Sequence, residues 1–165
     1  VQDFMNPIKK QGVQVLACRG NHDKWYDIWI ESMNPVYKYI CEEYGDIKYS
    51  QTIKDVHFIV CDIYPTESIR NWLECELKVH KNKPIVLIWH YNLTGPYSDW
   101  WSEKEKNEVY EIIKNENIVC ICNGHWHRTQ NNIWRNINEI SGSMESVKIC
   151  EYTPENGLSI TSKII

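Results

Sequence analysis

No run of apolar residues in this chain of 165 residues approaches the length needed to cross a bilayer, so no membrane span is expected. A surplus of positive charge is also missing. The formal net charge is -4, and no nucleic-acid-binding patch is evident, because phosphate contacts need clustered Lys and Arg. The 7 cysteines are odd in number, scattered and without a C-x-x-C pair, which speaks against a disulfide framework. They read instead as buried thiols. Cys120-x-Cys122 lies in an apolar, strand-like run whose alternation aims both side chains at one face. Buried thiols lean towards a reducing, cytoplasmic compartment, but localisation stays open. Repeats, linkers and low-complexity tracts are absent, and the length suits a single domain over residues 1–165. The chain opens on Val1 without a signal-peptide pattern, and it reads as lacking its natural beginning.

What is present is an alternation of strand-like and helix-like segments. A helix is expected up to about Gln11, then a short strand at Val13–Ala17. The spacing of Val36, Tyr39, Ile40 and Glu43 predicts a helix over Pro35–Tyr44, closed by Gly45. Ile47–Ile53 and Val56–Cys61 read as a hairpin through Lys54-Asp55. A helix opened by Pro65-Thr66 runs to about His80, and Pro84–Trp89 is a strand buried on both faces. Ser102-x-x-Glu105 is a capping box, so a helix begins there. Ile118–Cys122 is the next buried strand. Short strands follow at Ile133–Trp134 and Glu139–Ile140. A last pair, Val147–Tyr152 and Leu158–Ile164, is joined by a turn across Pro154-Glu155-Asn156-Gly157. The order predicts an α/β layered domain.

The histidines follow the strands. Gly20-Asn21-His22-Asp23 comes after the first, His90 after Pro84–Trp89, and Gly124-His125-Trp126-His127 after Ile118–Cys122. Gly124 is expected to let the chain turn there without a Cβ penalty. In open α/β sheets ligands collect outside the carboxyl ends of strands, so these exits are expected to meet at one site. An amide oxygen with imidazoles suits zinc, manganese or iron(II) rather than calcium. Asp23 adds a carboxylate next to His22 and could fix the tautomer of its ring. A protonated histidine there suits a general acid, and a metal-bound water suits a nucleophile.

These segments resemble the calcineurin-like metallophosphoesterase superfamily, whose motifs run D-x-H, G-D-x-x-D, G-N-H-D/E, H and G-H-x-H. The last three stand here in order, as Gly20-Asn21-His22-Asp23, His90 and Gly124-His125-Trp126-His127. Asn71-Trp72-Leu73-Glu74-Cys75-Glu76-Leu77 is similar to the W-L-x-x-x-L helix that such proteins place after a strand ending in Asp, here Asp62. The resemblance implies an αββα sandwich with a centre of two divalent metal ions of the manganese, iron or zinc type. By matched position Asn21, His90 and His125 would ligate one metal and His127 the other. His22 would contact the phosphate and protonate the leaving oxygen, with Asp23 orienting it. The metals would clamp the phosphoryl group and bind the attacking hydroxide. The implied substrate is a phosphomonoester or phosphodiester, such as a phosphorylated small molecule.

The first two motifs are absent, since only 19 residues precede Gly20, and Asp3 stands too close to Gly20 to replace them. The chain is therefore expected to be the C-terminal portion of the domain, short of N-terminal strands and weakly active by itself. Its full-length parent would be the phosphoester hydrolase. The alternative is a catalytically inactive binding or scaffold module that keeps the fold.

The aromatic residues Trp25, Tyr26, Trp29, Tyr91, Tyr97, Trp100, Trp101 and Trp126 gather near these motifs. Trp25, Tyr91 and Trp126 are substrate-binding candidates, able to stack on a planar or apolar group. Tyr97–Trp101 is expected as a loop bordering the cleft. The sequon Asn92-Leu93-Thr94 reads as chance. Asp62 reads as a strand-end group rather than a ligand. His57 and His80 lack comparable company and receive no role.

Overall fold

Near-continuous apolar runs in three segments build the parallel centre of a six-stranded sheet, buried on both faces. The computed structural model describes residues 2–25, 34–143 and 145–164, without the side chains of Gln2, Phe4, Lys24 and Trp25. The elements are α1 (Gln2–Lys9), α2 (Asn21–Trp25), α3 (Pro35–Tyr44), β1 (Lys48–Ile53), β2 (Val56–Cys61), α4 (Glu67–Val79), β3 (Ile85–Ile88), α5 (Glu103–Ile113), β4 (Ile118–Asn123), β5 (Gln130–Trp134), β6 (Ile137–Ser141), β7 (Ser146–Thr153) and β8 (Gly157–Ile164). The large sheet runs β1-β2-β3-β4-β6-β5, and β7-β8 form a separate pair. Strands β2, β3, β4 and β6 are parallel, while the edge strands β1 and β5 are antiparallel to their neighbours.

Alternation divides the side chains between two cores. Ile59, Cys61, Ile85, Leu87 and Ile121 face α4 and α5, where Ile69, Leu73, Leu77, Val109 and Ile113 meet them. On the other face Val60 packs with Tyr39 and Ile40 of α3. Val86, Cys120 and Ile140 on that same side are covered by Tyr152, Leu158 and Ile160 of the β7–β8 pair. The result is a mixed α/β layered domain with a mostly parallel central sheet flanked by helices, as expected. Cys120 and Cys122 do share a face, with their sulfurs 3.9 Å apart.

Local signals hold where the backbone chemistry is complete. Asn34 caps α3 by accepting from the Val36 and Tyr37 N–H groups, and Gly45 closes it at φ 88°. Ser102 and Glu105 form the reciprocal capping box of α5. The expectation of a strand at Val13–Ala17 is overturned: these residues join no ladder. An apolar run becomes a strand only when another strand satisfies its peptide groups. Here the Tyr49 hydroxyl does so at one residue, accepting from the Ala17 N–H at 2.8 Å and donating to the Ala17 carbonyl at 2.8 Å. Tyr44 donates to the Val15 carbonyl.

The connections set the direction of everything that follows. Each of α4 and α5 carries the chain back along the sheet, so β2, β3 and β4 all end at the same edge. The residues leaving that edge are Asp62, His90 and Gly124.

Candidate metal centre

His90 is held between two strand exits. Its N–H donates to the Ile63 carbonyl at 2.9 Å, and its carbonyl accepts from the Gly124 N–H at 3.0 Å. Its ring lies against Gly20 and Gly124. A Cβ on Gly20 would come within 3.0 Å of the ring, and one on Gly124 within 3.3 Å. Close approach, not a turn, is thus what Gly124 provides. The left-handed residues of the motif are His125 at φ 64° and His127 at φ 55°, which corrects the expected role of that glycine.

The Asn21 loop reaches the same place through a buried ion pair. Arg19, only 2 % exposed, donates from Nε to Asp62 Oδ1 at 2.7 Å and from Nη2 to Asp62 Oδ2 at 2.9 Å. That two-pronged bond ties the loop before α2 to the end of β2. Asp62 is therefore a strand-end group bound to arginine, as anticipated, while Arg19 escaped notice in the sequence. Asp23 accepts from the Gly20 N–H at 2.7 Å, bracing the turn that presents Asn21 and His22.

Together these constraints bring three donors into mutual contact. The Asn21 side-chain oxygen lies 2.8 Å from His90 Nε2 and 3.2 Å from His125 Nδ1, and the two ring nitrogens are 3.2 Å apart. Cis donors about 2.1 Å from one cation stand roughly 3.0–3.4 Å from each other, so the trio fits a divalent ion. Two ring nitrogens and an amide oxygen facing one point repel unless a proton or a cation lies among them. Burial, then the neighbouring His125, His127 and His22, lowers the His90 pKa to about 4. Burial, His127 and His22 also lower that of His125. Burial thus favours the neutral form of both rings, the form that can ligate a metal.

His22 and His127 are exposed beside this trio, near enough to act on both rings electrostatically. His127 lines a cleft of about 250 Å³ with Asn123, Gly124, His125, Gly142 and Ser143. Among the described residues no set of three His, Cys, Asp or Glu donors gathers at this edge. A larger cleft of about 380 Å³ lies between α4 and α5, lined by mixed charges including Arg70, Lys104 and Glu108, away from the histidines.

An aromatic collar surrounds His125. The rings of Tyr91, Trp100 and Tyr97 stand edge-on to it, with centroids at 4.9, 5.1 and 6.0 Å. Ser98–Trp100 forms a single 3₁₀ turn within the expected loop. Tyr91 is itself buried, whereas Tyr97 and Trp100 are 48 % and 44 % exposed. Trp101 is buried and donates from its indole to the Asn92 carbonyl at 3.0 Å. Trp126 lies near the Arg128 guanidinium, 5.9 Å from the ring centre. Tyr26, Trp29 and the Trp25 side chain fall outside the described residues.

A second polar group, not foreseen from the sequence, fixes the loop after β3. The buried Glu139 carboxylate accepts from the Leu93 N–H and the Asn123 amide, both at 2.6 Å, and from the Thr94 hydroxyl. Asn92 is fully buried and bonds to Asn123 at 2.8 Å and to Ser141 at 3.0 Å. Its sequon therefore offers no accessible amide in this fold.

The mostly parallel sheet, flanked by helices, thus gathers an amide and two imidazoles at its strand ends. Residues 1–129 match the calcineurin-like phosphoesterase family, and the chain belongs to that family. Among solved structures it is similar to a dimetal phosphatase from Danio rerio, at 11 % identity and a TM-score of 0.59, over 98 % of this chain and 69 % of that one. A weaker likeness, at 19 % identity and a TM-score of 0.43, joins 70 % of this chain to 28 % of a Staphylococcus aureus protein assigned as a 5'-nucleotidase. No curated protein sequence matches the chain.

Proposed function

We propose that this chain carries a metal-dependent phosphoester-hydrolysing site at the carboxyl edge of its sheet. The observation behind this reading is the meeting of Asn21, His90 and His125 donor atoms within 3.2 Å of one another, from three separate loops. Family membership supplies the class of reaction, and the Danio rerio neighbour shares the fold.

Asn21, His90 and His125 would hold one divalent ion, and His127 would contribute to a second. Ions bound there would draw charge from the phosphoryl oxygens and acidify a water molecule. His22, exposed at the start of α2, would contact the phosphate and protonate the leaving oxygen. Asp23 braces the loop through the Gly20 N–H, which holds His22 at the edge of the site. Tyr97 and Trp100 are exposed beside His125 and would line the approach of a planar leaving group, together with Trp25 and Trp126; Tyr91, being buried, would back the His125 ring instead. The substrate class is a phosphomonoester or phosphodiester. With one three-donor cluster and a single further histidine, turnover by this chain is expected to be slow.

The test is hydrolysis of p-nitrophenyl phosphate and bis(p-nitrophenyl) phosphate with added manganese or zinc. Slow, metal-dependent release of nitrophenol that disappears in His125→Ala supports the reading. Metal bound at this trio with no turnover on either ester would favour the scaffold alternative.

A further inference from the structure

At the opposite edge of the sheet the fold assembles a second set of donors. His57 lies near the start of β2, and its ring is 1 % exposed. The β2–α4–β3 connection brings the last turn of α4 back over that strand start. Glu76 and His80, four residues apart, share a helix face there. Glu76 Oε2 lies 3.7 Å from His57 Nε2 and 3.8 Å from His80 Nε2. All three donor atoms lie within 4.8 Å of one another.

We propose that His57, Glu76 and His80 form a structural site for a borderline divalent cation of the zinc class, clamping the end of α4 to the β1–β2 hairpin. Three independent observations carry this assignment. First, His57 Nε2 is buried and has no hydrogen-bond partner, although it faces a carboxylate at a distance too long for a hydrogen bond. A buried polar atom in that position calls for an occupant between the two groups. Second, the far nitrogen of the His57 ring and the Glu76 carboxylate are both held by hydroxyl groups of β1. The Thr52 hydroxyl meets His57 Nδ1 at 2.9 Å, and Ser50 donates to Glu76 Oε2 at 2.6 Å. Such partners orient a ligating imidazole and carboxylate. Third, the spacing is close to what a bound ion needs. Donors around tetrahedral zinc stand roughly 3.4 Å apart; each histidine is within a few tenths of an ångström of that from Glu76, all three donor atoms lie within 4.8 Å of one another, and a rotation of the His80 ring closes the set. The rings of His57 and His80 are stacked at 3.6 Å, and His80, the more exposed of the two, would turn off the stack to bind.

Three protein donors leave a fourth position, reached from solvent past the partly exposed Glu76 and His80. Glu76 supplies the negative charge, and the nearby Lys83 opposes positive charge on His57, so affinity rests on the two imidazoles and that one carboxylate. The cluster shares no residue with the Asn21–His90–His125 trio and does not depend on its chemistry.

The experiment is a cobalt(II) titration, read by visible absorption, on the His125→Ala protein and on the double variants His125→Ala/His80→Ala and His125→Ala/Glu76→Gln. Both additional changes fall on partly exposed side chains, and far-UV circular dichroism checks that each protein is folded. His125→Ala should still bind one cobalt with the absorption of a four-coordinate site, and zinc should compete it away. Each double variant should bind at least tenfold more weakly, and zinc should raise the Tm of His125→Ala but not theirs. Absence of cobalt binding in His125→Ala, or equal affinity in the double variants, overturns the proposal.

Discussion

The two histidine clusters occupy opposite edges of the same parallel strands, and their construction differs. At the carboxyl edge the donors come from three loops, held by backbone bonds to His90, by glycines that admit its ring, and by the Arg19–Asp62 pair. At the amino edge the donors come from a strand and the last turn of a helix, where regular backbone geometry positions them. Loops can bring the donors closer, to 3.2 Å or less, but need a supporting structure to stay there. Regular elements need no such support but stop short, at 3.7 and 3.8 Å. Close assembly with solvent access suits chemistry on an incoming ester. A looser cluster between two packed elements suits a tie.

The largest expected effect breaks the carboxyl edge alone. Asp62→Ala leaves the Arg19 guanidinium buried without its carboxylate, which costs about 3–5 kcal/mol. Urea denaturation should show that loss, and metal binding by the trio should weaken while the His57 cluster keeps its cation. Next, His125→Ala should reduce metal-dependent ester turnover by at least on the order of 100-fold, the upper end of what the loss of an outer partner commonly costs. Steady-state assays check it, with elemental analysis to show that the amino-edge ion remains.

The pH dependence of the metal-free protein probes both edges together. The folded pKa values of His57 and His90 are lowered to about 4, chiefly by burial, against about 6.5 in an unfolded chain. Between those values the unfolded chain binds more protons, so stability is complete above pH 6.5 and falls as the pH drops towards 4. The contribution of His57 is about 3 kcal/mol. Chemical denaturation at pH 7 and pH 4.5 in the presence of chelator measures the slope, and a flat profile would contradict these burial effects. The smallest change serves as a reference remote from both clusters. Ser102→Ala removes the α5 cap at about 1 kcal/mol, and the metal stoichiometry of both edges should stay as it was.

Much of the frame was readable in advance because its signals are local. Pro35 and Gly45 bound α3, Ser102 and Glu105 open α5, and the apolar runs become β2, β3 and β4. The donor trio could be named because each member sits next to a glycine or a strand end in an ordered set of motifs. Other features escaped because their partners are distant in sequence. Arg19 carries no signal of its own until β2 delivers Asp62. His57 and His80, given no role in the sequence, meet only when α4 lays Glu76 and His80 over His57. Val13–Ala17 shows the opposite failure, an apolar run that no neighbouring strand completes.

The sequence by itself determined most of the order of strands and helices and the residue types available for ligation, because side-chain period and capping act over a few residues. Which donors touch was decided by the tertiary structure alone. Parallel β-α-β connections bring the ends of β2, β3 and β4 to one edge and the ends of α4 and α5 to the other, and that return path sorts the histidines into two separate clusters.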